Sequence, residues 1–134
     1  MAYKDFTEMS VWKKAFNLLL LVYRLTRKFP VEEKFCLVSD MQRAAHSVTN
    51  NTAEGFGRYE PFDKTRFYKI ARGSCYEIIN QSLASEAFDY ITNHEKNELV
   101  NEYRDVISEL DPMVKSIETG KKVMRRYKLN NNIT

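Results

Sequence analysis

Apolar residues return every three or four positions through most of this chain, in four stretches separated near Pro30, residues 57–61 and Asn93. That spacing puts apolar side chains along one side of a helix. The first stretch spans residues 7–28, with Trp12, Ala15, Phe16, Leu19, Val22, Tyr23 and Thr26 on the repeating face. Leu18, Leu20 and Leu21 widen that face, so this helix is expected to have a second neighbour, within the fold or in another subunit. The second stretch starts after Pro30, with Glu32 and Glu33 near its positive end, and stops at residues 55–57. Gly55 or Gly57 suits a left-handed cap there. Pro61 opens a third helix, expected to reach about Tyr90. Its repeating face is Phe67, Ile70, Ser74, Ile78, Gln81, Ser85 and Phe88, while Ala71, Gly73 and Ser74 predict close backbone approach. Thr92 and Glu95 have the spacing of a capping box for the fourth helix. Leu99, Tyr103, Val106, Leu110, Met113, Ile117, Gly120, Met124 and Tyr127 follow it, with a kink expected at Pro112. Four long helices with short loops predict an all-α, up-and-down antiparallel four-helix bundle over residues 1–120, then a basic extension, 121–134.

One pattern breaks the apolar rhythm. Arg43, Ser47, Asn51, Glu54 and Arg58 recur at spacings of four, four, three and four, within an arc of roughly 80° on a helix. Arg66, Gly73, Ser74 and Glu77 lie in the polar part of the next helix. A seam of this kind is either a buried network between helices or a binding face. As a network, Arg43 or Arg58 would pair with Glu54 or Glu77, and Ser47, Asn51, Ser74 and Gln81 would satisfy the remainder. Removing one member of a buried pair would then cost about 3–5 kcal/mol.

Charge changes the picture at the C-terminal end. The 134 residues carry a net charge of +3, but residues 86–120 alone sum to −6 and residues 121–134 to +5. The five cations of that last block are Lys121, Lys122, Arg125, Arg126 and Lys128. A second basic group, Arg58, Lys64, Arg66, Lys69 and Arg72, surrounds the second loop and is interleaved with Tyr59, Phe62, Phe67 and Tyr68. Basic groups neutralise phosphates and aromatic faces stack on unpaired bases, so both groups are candidates for nucleic-acid contact. The acidic stretch points instead to a protein-interaction scaffold.

Covalent chemistry finds little support. His46 and His94 lack the ligand spacing of a metal site, and no phosphate loop or nucleophile elbow occurs. Glu54 and Glu77 could form a carboxylate pair, but the neighbouring arginines favour ion pairing. Cys36 and Cys75 are far apart without CxxC spacing and read as free thiols in a reducing, cytoplasmic setting. The longest apolar run, residues 18–23, is too short to span a bilayer. No enzyme activity, cofactor, metal or membrane association is expected.

Four segments carry a family resemblance: Val11-Trp12-Lys13-Lys14-Ala15, Phe29-Pro30, SVTNNTAEGFGR at residues 47–58, and RFYKIARGSCYEI at residues 66–78. Together they resemble the bacterial four-helix-bundle proteins named for open reading frames in 23S rRNA intervening sequences. That group includes accessory proteins of diversity-generating retroelements. The resemblance covers residues 5–110 and maps the family pattern onto Arg43, Ser47, Asn51, Ala53, Glu54, Gly55, Arg58, Gly73, Ser74 and Glu77. It implies a homopentamer around a central channel, association with RNA or ribosomal components, and, in the retroelement branch, with a reverse transcriptase. Where the family often reads Ile-Pro-Ser-Asn-Ile, this chain has Val48-Thr49-Asn50-Asn51-Thr52, which predicts a more regular and more polar helix there.

Overall fold

In the computed structural model, residues 2–120 and 128–132 are described, and they contain four long helices and no strand. The helices are α1 (Ser10–Thr26), α2 (Leu37–Gly57), α3 (Pro61–Ala87) and α4 (Asn93–Thr119). Each packs on its neighbour in chain order, and α4 closes the ring onto α1. This is the expected all-α four-helix bundle.

Local chemistry sets the helix ends, and several differ from the sequence pattern. Asp5 and Glu8 form a capping box around a short 3-10 turn, Phe6–Glu8. Met9 follows in extended conformation and drops its side chain into the core, so α1 starts at Ser10 and not at Thr7. After Pro30 a second 3-10 turn, Val31–Glu33, takes Glu32 and Glu33, and α2 begins only at Leu37. Asp40 is the acidic residue in its first turn. At the other end of α2 no glycine takes positive φ; Arg58 leaves the helix in extended conformation.

The third helix ends earlier than expected because Asp89 adopts the left-handed conformation, φ 62°. Its N–H reaches the Glu86 carbonyl at 2.9 Å, and the Tyr90 N–H reaches that of Ser85 at 2.9 Å. This is a Schellman closure with aspartate where glycine is usual. Thr92 and Glu95 then cap α4 reciprocally, at 3.1 and 2.9 Å. The fourth helix continues through Pro112 to Thr119.

The core is aliphatic in α1 and α4 but small and hydroxylated in α3. Val11, Ala15, Leu18 and Val22 meet Leu99, Tyr103, Val106 and Leu110. On α3 the buried line is Thr65, Tyr68, Ala71, Ser74, Cys75, Ile78, Ile79, Ser82 and Ser85, which leaves Ile70 and Phe88 of the expected face in solvent. The buried serines tolerate this because each finds an acceptor. Ser82 donates to the Ile78 carbonyl and Ser85 to that of Gln81, both at 2.7 Å. Small side chains also let α2 and α3 approach closely. A Cβ built on Gly55 would lie 2.6 Å from Tyr68 Cε1 and 3.0 Å from the Lys64 carbonyl oxygen. Gly55 is therefore a packing residue. Gly73 is not: its Cβ position faces open space.

Candidate nucleic-acid interface

The polar seam separates into a narrow interhelical part and an exposed part. Ser74 Oγ donates to Ser47 Oγ at 2.7 Å, joining α3 to α2, and Asn51 Nδ2 donates to Ser47 Oγ at 3.0 Å and to the Ser47 carbonyl at 2.8 Å. The charged members stay outside this link. Arg43 pairs with Asp40 within the first turns of α2, and Arg58 pairs with Glu54 one turn below it at 2.6 Å. Neither arginine reaches Glu77, which is exposed on α3. Gln81 does not join either: its Oε1 is buried with no hydrogen-bond partner among the described residues. Because Arg58 and Glu54 are close to half exposed, their pair is an intrahelical surface contact worth about 0.3–0.5 kcal/mol, not the 3–5 kcal/mol of a buried one.

The basic group around the second loop is held within the fold. Arg58 faces Glu54 and, at 3.6 Å, Asp63; Arg66 shares Asp63 at 3.1 Å. The two guanidinium groups lie 4.8 and 4.2 Å from the centre of the Phe67 ring, so this ring is covered by cations. Lys64 turns back to the end of α2 and donates to the carbonyls of Phe56 and Gly55 at 2.7 and 3.2 Å. Burial lowers its pKa from the ordinary lysine value. Arg72 bridges to Asp111 on α4 at 2.7 Å, and Lys69 bridges to Glu118 at 2.8 Å.

The acidic stretch is engaged by the same contacts. Lys14 on α1 holds Asp105 and Glu109 at 2.6 and 2.9 Å, and Lys28 holds Glu95 at 2.8 Å. Glu118 also accepts a 2.6 Å hydrogen bond from Thr65. The lysine partners hold the carboxyls of Glu95, Asp105 and Glu118 below their ordinary pKa values, with Thr92, Ser108 and Thr65 adding smaller effects. Five carboxylates of the acidic run, Glu95, Asp105, Glu109, Asp111 and Glu118, are thus tied to lysines and an arginine of α1, α3 and the segment after α1, and two of those cations, Lys69 and Arg72, come from the basic group.

The C-terminal block lies almost wholly beyond this description. Lys121, Lys122, Arg125 and Arg126 are outside the described residues, and Lys128 is exposed. Two further surface features matter. On α1, Phe16 and Leu20 are 38% and 46% exposed; on the outer side of α3, Ile70, Tyr76 and Leu83 are 43%, 42% and 48% exposed. The α1 surface was legible as excess leucine, although Leu18 itself is core. The α3 surface was obscured by mixing Ile70 with core residues.

Comparison with known proteins bears on the ancestry of this arrangement. The model of the 23S rRNA-intervening sequence protein family matches residues 7–111. The chain belongs to that family. The match spans α1–α3, their connections and most of α4, and stops before the basic block. No curated protein matches the chain. In this family member no described helix is long and apolar enough to cross a membrane.

Proposed function

We propose that this chain is a non-enzymatic, homo-oligomeric bundle that binds RNA through repeated copies of Lys121, Lys122, Arg125, Arg126 and Lys128. One observation carries the reading: the cations around the second loop, Arg58, Lys64, Arg66, Lys69 and Arg72, are engaged by partners within the bundle, whereas the last fourteen residues bear five cations and no acid. Residues 1–120 hold sixteen basic and eighteen acidic groups, so the bundle alone is net negative and would not attract phosphate. Oligomerisation supplies the strength that one short block lacks, because linked copies bind as a unit. The exposed apolar residues of α1 and α3 are the surfaces for a second copy. Lys13, Arg24 and Arg27 flank the first and Glu77 the second, which suits a head-to-tail ring such as a pentamer.

A second reading makes those same apolar surfaces the seat of another protein, such as a reverse transcriptase, with RNA contact incidental. Light scattering behind size exclusion separates the two, run with and without cellular RNA at low and high salt. A multimer that takes up RNA only at low salt supports RNA binding. A multimer that ignores RNA at every salt refutes it and favours the scaffold; a monomer refutes the ring.

A further inference from the structure

A cleft of about 710 Å³ opens where the N-terminal segment, the end of α2, the start of α3 and the second half of α4 meet. Its walls are mainly apolar, with Met9, Val11, Phe56, Tyr68, Met113 and Ile117 among them. This size falls within the range of roughly 300–1,000 Å³ usual for small-molecule sites. Lys64 stands in the same wall and is half-buried. Its ammonium donates to two backbone carbonyls, and no carboxylate among the described residues pairs with it. An ammonium carries three donors, and beyond the two carbonyls the Lys64 ammonium has only the Phe56 ring, 5.6 Å from its centre, so one donor remains for a guest. The other charged side chain in the wall, Glu109, lies 2.9 Å from Lys14, which it shares with Asp105. Its buried Oε2 makes no hydrogen bond among the described residues; a guest carboxylate therefore sits at the Lys64 end of the cleft, away from it.

The two properties together select a ligand class. A neutral apolar molecule would fill the cleft and leave a partly desolvated cation without a counter-ion. A phosphate or nucleotide would set several charges against an apolar wall. We propose that this cleft binds an apolar monocarboxylate, an aliphatic acid whose carboxylate pairs with Lys64 and whose tail lies against Met9, Phe56 and Met113. The site is independent of the RNA-binding reading.

The test uses the full chain with methionine methyls labelled for NMR, titrated at neutral pH with octanoate and, separately, with 1-octanol. Octanoate is expected to shift the Met9 and Met113 methyls saturably below about 1 mM, and to bind roughly tenfold more tightly than octanol. Lys64→Met should erase that preference while octanol still binds. Met113→Trp, which leaves the lysine in place, should fill the cleft and weaken both ligands. No saturable shift with octanoate, equal affinity for acid and alcohol in the unaltered protein, or unchanged octanoate binding in Met113→Trp overturns the proposal. The last two comparisons stand even if Lys64→Met fails to fold.

Discussion

The same substitution at two glycines should move stability in opposite directions. Replacing a helix-interior glycine by alanine gains about 1 kcal/mol from backbone preference when nothing obstructs the new methyl. At Gly73 nothing in the same chain lies within 4 Å of it, so Gly73→Ala should stabilise the bundle by up to about 1 kcal/mol wherever the outer side of α3 is not covered by a second copy at this position. At Gly55 the methyl would sit 2.6 and 2.9 Å from two ring carbons of Tyr68 and 3.0 Å from the Lys64 carbonyl oxygen. Tyr68 is only 3% exposed and cannot swing away, and the carbonyl belongs to the backbone of α3. Overpacking of this kind costs about 1–3 kcal/mol, and with α2 and α3 forced apart the upper part of that range applies. After the propensity gain, Gly55→Ala should lose about 1–2 kcal/mol, a fall in Tm of about 4–8 °C for a chain this size. Thermal melts followed by circular dichroism, at one protein concentration, read both variants. A Gly55→Ala protein melting at or above the parent, or a Gly73→Ala protein melting below it, would refute the packing argument.

Three further outcomes follow from the same geometry. Glu95, Asp105 and Glu118 have folded-state pKa values depressed by Lys28, Lys14 and Lys69, so the stability they add is present above the ordinary carboxylate range and lost as pH falls through the folded values. Tm should hold steady from about pH 8 to 5.5 and fall below about 4.5, with part of that fall removed in Lys69→Met; an equal acid dependence in the variant contradicts this. Cys75 is buried and its thiol is pushed up to about 12, whereas Cys36 is exposed, so a thiol reagent at pH 8 should titrate one cysteine in the native protein and two after unfolding. Ser74→Ala should cost about 1 kcal/mol in urea unfolding by taking the α3 partner from Ser47, and the Ser47→Ala/Ser74→Ala pair should cost less than the sum of the singles; strict additivity would deny the link.

The parts of the structure written in local periodicity were legible beforehand, and α4 is the clearest case. Leu99, Tyr103, Val106, Leu110, Met113 and Ile117 form its inner line, and Thr92 caps it through Glu95. Helix ends were less legible where the deciding group was unusual: a core-seeking Met9 after a 3-10 turn, or Asp89 in a position that normally signals itself with glycine. The inner face of α3 was misread because its serines look polar, yet bond to carbonyls one turn back and behave as small core residues. Charge was hardest. Lys14 and Asp105 are 91 positions apart, Lys28 and Glu95 67, Arg72 and Asp111 39. A linear reading sees two opposed patches where the folded bundle has cross-links.

The central claim is that RNA affinity resides in the C-terminal block and not in the basic group of the bundle. Fluorescence anisotropy with a labelled single-stranded RNA, titrated across a series of salt concentrations, tests it directly. Two variants are compared with the parent: one with Lys121, Lys122, Arg125, Arg126 and Lys128 all changed to Glu, the other carrying Arg58→Gln and Arg66→Gln. Charge reversal of the block should abolish binding at every salt, while the bundle variant keeps its affinity within roughly threefold and its salt slope unchanged. Binding that survives reversal of the block, or that disappears with Arg58 and Arg66, would contradict the account.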